Sequence, residues 1–99
     1  MCKILYGGKN SILSNERRCY FCHNTIGLHK HHIFFGPNRK MSDKYGCWVY
    51  LCPHHHNMSK LSVHKNREAD LILKRECQIK FELLYGHKLF MDKFGKNYI

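Results

Sequence analysis

Two short ligand pairs stand out in the 99-residue chain: Cys19-x2-Cys22 and Cys52-x2-His55. Zinc takes thiolate and imidazole in a tetrahedron, and two such pairs from separate segments supply four ligands with little loop strain. A redox dithiol is the competing use of a C-x2-C pair, but that motif wants a βαβ surround, and the flanking sequence has none. The spacing therefore predicts a structural zinc site of Cys19, Cys22, Cys52 and His55. The second pair lies in LCPHHHN, residues 51–57, where three histidines follow Cys-Pro. Consecutive residues of a helix turn by about 100°, so His55 can converge with Cys52 while His56 faces a different site. His54 points away from His56 and reads as facing solvent or phosphate. The cluster thus divides between two metals.

Candidates to join His56 are His29, His31 and His32, in LHKHHIFF at residues 28–35. Side chains alternate along a strand, which puts His29 and His31 on one face and His32 on the other. A surface histidine cluster on a basic protein is the plain alternative.

These residues need elements to hold them. CYFC followed by HNTIG reads as a tight knuckle turn. Leu28–Phe35 and CWVYL, residues 47–51, have the β-branched and aromatic content of strands, and Trp48, Val49 and Tyr50 read as core. Between them GPNRKMSDKYG, residues 36–46, reads as a basic, turn-rich loop with one helical turn after Ser42. Pro53 suits a helix start. From Lys65 to Tyr85 apolar residues recur at helical spacing, with Ala69, Leu73, Cys77, Phe81 and Leu84 as the stripe and Ile72 and Leu83 widening it. Gly86 fits a helix end, and a last short helix runs from Leu89 to Phe94. Residues 1–17 suggest a short strand and a loop. The expected class is α+β: a small ββα core with a structural zinc site and a C-terminal helical extension. It forms one domain over 1–99, with an N-terminal extension (1–18), knuckle and core (19–64) and helical tail (65–99).

Lys and Arg number 17 against 7 Asp and Glu, a formal charge of +10. That balance favours a polyanionic partner, since neutralised phosphates release counterions. A nucleic acid is the expected partner. Arg39, Lys40 and Lys44, in the loop between the strands, suit phosphate contacts. No apolar run approaches the ~20 residues of a membrane span, and the N-terminal apolar stretch is short for a secretory signal. A cytoplasmic location without membrane partners is expected, where paired cysteines bind metal more often than they form disulfides. Cys2 and Cys77 read as free thiols.

HKHHIFF, a basic loop and then CWVYLCPHHHN resemble the HNH (ββα-metal) endonucleases, and the C-x2-C ahead of them matches the zinc-knuckle subset. The resemblance covers about Cys19 to His64. The tail, with VHKN at 63–66 and LLYGHKLFMDKFGKNYI, is similar to small HNH proteins of bacteriophages, including recombination-associated ones, which would place the chain in host cytoplasm. The resemblance implies a metal-dependent nuclease that hydrolyses DNA phosphodiester bonds. It implies His32 as the general base, and His31 and His56 as ligands of a catalytic divalent ion such as Mg²⁺ or Mn²⁺. His64, with Asn57 behind it, is the candidate third ligand, and the zinc quartet is as spacing predicts. One position departs from the family pattern. The family's middle Asn, which braces the loop orienting the base, is replaced by Cys47, a small core residue by type. Asn38 or a backbone carbonyl is the expected substitute. Two other functions fit the charge and the departure: a non-catalytic zinc-stabilised DNA-binding module, and a subunit of a phage recombination or packaging complex that needs its partner.

Overall fold

The computed structural model describes residues 10–58 and 62–99. Cys2 and the first part of the expected N-terminal strand lie outside the described residues. Residues 10–18 form no strand; this segment is tied down by Ser11, whose hydroxyl donates to the Trp48 carbonyl at 2.5 Å, and by Ile12 N–H to the Gly46 carbonyl at 2.9 Å.

Two strands, β1 (His29–His32) and β2 (Trp48–Leu51), pair antiparallel. The register is His29 with Leu51, Lys30 with Tyr50, His31 with Val49 and His32 with Trp48. Alternation then sorts the hairpin. His29, His31, Val49 and Leu51 share the inner face, where Val49 and Leu51 are fully buried. Lys30, His32, Trp48 and Tyr50 share the outer one. Both strands are shorter than expected: β1 ends at His32 and β2 begins at Trp48, with Ile33 N–H still donating to the Cys47 carbonyl at 2.9 Å and Ile33 and Phe34 buried in the core.

The connection holds more helix than its composition suggested. A 3-10 turn (Gly36–Asn38) runs into α1 (Arg39–Tyr45). Two contacts invisible in the local pattern fix it. Buried Ser42 accepts from Phe34 N–H at 3.0 Å and donates to the Phe34 carbonyl at 2.6 Å. Gly46 then closes α1 in the left-handed region at φ 75°, where a Cβ would stand 2.3 Å from the Asn10 carbonyl oxygen, so only glycine fits.

After β2 the expected α-helix at Pro53 is instead a π-helical turn, His54–Met58. The Cys52 carbonyl accepts from both His55 and His56 N–H, at 3.1 and 2.9 Å. The long helix α2 (Arg67–Tyr85) starts close to the expected Lys65, capped by the Asn66 side chain, which accepts from Glu68 and Ala69 N–H. It ends at Gly86 as read, and α3 (His87–Phe94) begins two residues earlier than expected. Leu73, Cys77 and Phe81 are buried, but Leu84, Leu83 and Ile72 are not. Lys74 and Gln78 fill the face instead. Lys74 is paired with Asp70 at 2.5 Å, and Gln78 donates to Glu82 and Asn97 and accepts from Tyr98 N–H. Phe34, Phe81, Phe90 and Phe94 close the core with ring centroids 4.5–5.8 Å apart, the range of favourable aromatic packing. The result is a small mixed α/β fold with one two-stranded sheet and its helices, a chain layout that gathers cysteines and histidines at one end of the hairpin. Among the described residues no helix is long and apolar enough to cross a membrane.

Candidate metal centres

The knuckle is anchored first by backbone. Cys19 N–H donates to the Asn24 carbonyl at 2.8 Å, His23 N–H to the Cys19 carbonyl at 2.9 Å, and Tyr20 N–H to the Tyr50 carbonyl at 2.9 Å. His23 takes φ 66° to make the turn. This lays Cys19 and Cys22 against the end of β2, beside Cys52 and His55. The four ligand atoms lie within 4.8 Å of one another. Cys22 Sγ and Cys52 Sγ are 3.6 Å apart, and His55 Nδ1 is 3.3 Å from Cys52 Sγ and 3.6 Å from Cys19 Sγ. A zinc tetrahedron with Zn–S near 2.3 Å and Zn–N near 2.0 Å has edges of about 3.8 Å (S–S) and about 3.5 Å (S–N). These three separations match those edges, and the quartet can hold a metal ion such as zinc. Burial pushes the Cys19 thiol up, but backbone N–H groups of Cys52, Cys22 and Phe21 outweigh it and bring its pKa below the ordinary value. That favours the thiolate a metal needs.

The second cluster brings together His31, His56 and His64, again with ligand atoms within 4.8 Å. His56 Nε2 and His64 Nε2 are 3.2 Å apart, and the His31 ring lies 5.2 Å from His56 and 5.3 Å from His64. For metal–nitrogen bonds near 2.1 Å, adjacent ligands sit about 3.0 Å apart in an octahedron and about 3.4 Å in a tetrahedron. Two observations fit a cation here. His31, only 2 % exposed, has Nε2 buried with no hydrogen-bond partner among the described residues, a costly arrangement unless something accepts its lone pair. Burial, with repulsion from His56, His64, Lys74 and His32, pushes its pKa down to about 3, so the ring is neutral at pH 7 and has a lone pair to offer. Phe35 flanks the site, its ring centroid 6.1 Å from that of His31 and 5.6 Å from that of His64, and Lys74 Nζ lies 4.2 Å over the Phe35 ring.

His32 projects from the opposite face of β1. Its Nε2 is 3.3 Å from Asp43 Oδ1, and the same oxygen accepts from Lys30 Nζ at 2.7 Å. Lys30 in turn lies 4.8 Å over the Trp48 ring. The Lys30 hydrogen bond holds the Asp43 carboxyl below its usual range, with His32 adding to the effect and burial opposing it. Burial lowers the His32 pKa, outweighing Asp43, and Arg39 and Lys30 push the same way.

The remaining residues singled out by sequence are placed less tightly. Arg39, Lys40 and Lys44 are exposed on α1 rather than in a loop, and Lys44 Nζ sits 5.6 Å over the Tyr45 ring. His54 is exposed. Asn38 does not brace His32; its amide reaches the Phe94 carbonyl at 3.4 Å. Cys47 is buried, and its backbone ties Ile33 N–H (2.9 Å) and the Ser42 carbonyl (2.7 Å) together. Asp43 escaped the sequence, whereas His29, one of the candidates to join His56, does reach it, Nδ1 to Nδ1 at 2.9 Å. A comparison with family models, curated proteins and solved structures finds no match.

Proposed function

We propose that the protein is a metal-dependent endonuclease of the HNH kind that hydrolyses phosphodiester bonds in DNA. The observation that carries this reading is the histidine trio built on buried His31, whose Nε2 has no hydrogen-bond partner among the described residues, directly adjacent in sequence to a second histidine that has its own carboxylate. His31, His56 and His64 would hold a divalent ion, which would supply neutralisation of the charge developing on the scissile phosphate and its leaving oxygen. His32 is the general base. Asp43 accepts from Nε2–H, which leaves the lone pair on Nδ1 to take a proton from water. Asp43, itself fixed by Lys30, does the bracing that the family assigns to its middle Asn. The zinc quartet holds the knuckle and the start of the π-helical turn, and thereby His56. Arg39, Lys40 and Lys44, exposed on α1, would meet the phosphate backbone.

The test is nicking of supercoiled plasmid by purified protein with Mg²⁺ or Mn²⁺, against His32→Ala. A positioned base contributes about 10²–10⁴-fold, so the variant should lose at least 100-fold of the rate. Equal nicking by both proteins rejects the assignment. A second reading, a zinc-stabilised DNA-binding module, draws on His32 and His31 pointing to opposite faces of β1. It requires salt-sensitive DNA binding without any cleavage that depends on His32.

A further inference from the structure

His56 is bracketed by two other histidines. Its Nδ1 lies 2.9 Å from His29 Nδ1, and its Nε2 lies 3.2 Å from His64 Nε2. A neutral imidazole has one N–H and one lone pair, so the two contacts cannot be of the same kind. For the trio to hold a cation, Nε2 of His56 must carry the lone pair, and the proton then sits on Nδ1. That proton points at His29.

We propose that His29 is a positioning residue: its Nδ1 accepts a hydrogen bond from His56 Nδ1–H and fixes His56 in the one tautomer that offers Nε2 to an ion. This rests on the reading that His31, His56 and His64 form a divalent-cation site. The hairpin register explains how His29 comes to be there. His29 pairs with Leu51, the residue before Cys52, and so stands beside the turn that carries His56. His29 is not a fourth ligand in this arrangement, because it meets the edge of the His56 ring opposite the shared Nε2. Its ring is exposed and edge-on to His56 with centroids 5.0 Å apart, so replacing it leaves the core intact. Ligand histidines held through their other ring nitrogen in this way bind metal more tightly and in a fixed orientation.

The experiment uses full-length protein with its structural zinc in place and titrates Ni²⁺, a metal suited to imidazole, by calorimetry. His29→Ala should weaken Ni²⁺ binding about 10–100-fold. His29→Gln, whose amide oxygen can accept the same bond, should recover most of that loss. Nitrogen chemical shifts should show His56 protonated at Nδ1 in wild type and a mixture of tautomers in His29→Ala. Unchanged Ni²⁺ affinity in His29→Ala, or no recovery in His29→Gln, overturns the proposal while the cation site stands. If His56→Ala and His64→Ala bind Ni²⁺ as wild type does, the cation site itself falls, and the proposal with it.

Discussion

The division of the LCPHHHN histidines between two sites can be tested by removing one ligand at a time. In Cys52→Ala the quartet loses a sulfur that stands 3.6 Å from Cys22 and 3.3 Å from His55. Structural zinc sites contribute roughly 10–16 kcal/mol of apparent binding free energy, whereas a whole domain has only about 5–15 kcal/mol of net stability. Losing the site therefore removes as much as the fold holds in reserve. The knuckle has little else to keep it, chiefly Tyr20 N–H to Tyr50 and the Tyr20 hydroxyl to Glu76 at 2.6 Å. His56→Ala is a different perturbation. It deletes a ring that contacts His29, His31 and His64 and leaves all four quartet ligands in place. The assay is metal content by mass spectrometry together with thermal unfolding by circular dichroism. Wild type should retain one tightly held zinc per chain. Cys52→Ala and His55→Ala should lose it and unfold at ambient temperature. His56→Ala should keep the zinc, stay folded and fail to nick DNA. Zinc lost from His56→Ala but retained by His55→Ala would refute the reasoning, because the neighbouring histidines would then face the sites the other way round.

Two stability effects follow from the same contacts. Asn66→Ala removes the acceptor for Glu68 and Ala69 N–H at the start of α2, and urea unfolding should show a loss of about 1 kcal/mol; no change would mean the cap is idle. His31 has a folded pKa near 3, below the unfolded imidazole value of about 6.5. The unfolded chain thus takes up the proton first, and stability is full above about pH 6.5 and falls as pH drops toward the folded value. Between pH 7 and 5.5 wild type should lose on the order of 1 kcal/mol more than His31→Leu, measured by urea midpoints; parallel curves would show that His31 is not buried neutral.

What the sequence made legible was chemistry with short spacing. Cys19 with Cys22, and Cys52 with His55, are pairs whose ligand types and separation already demand a common centre, and the structure brings those four together. Strand alternation likewise put His31 and His32 on opposite faces, and apolar recurrence found Leu73, Cys77 and Phe81 in α2. The failures share a cause, namely side chains whose partners lie far along the chain. Polar, glycine-flanked GPNRKMSDKYG gives no helical stripe, yet α1 forms because Ser42 grips Phe34 and Gly46 packs on Asn10. Lys74 and Gln78 are buried against local pattern because Asp70 and the returning tail at Asn97 and Tyr98 satisfy them.

The site shows the same limit in its most consequential form. Cys47 in place of an Asn looked like a missing support for His32. Once α1 lies over the outer face of the hairpin, Asp43 reaches both Lys30 and His32, which the two-residue strand period had already placed side by side. In the nuclease reading proposed above, that support comes from a helix of which the sequence suggested only one turn, after Ser42. The same logic gives His29 a partner 27 positions away in His56. A constellation of histidines can thus be recognised by type and spacing, but which nitrogen of each ring is free for chemistry is decided by contacts between elements. That makes His29 and Asp43, rather than the ligands themselves, the residues where the structure says most beyond the sequence.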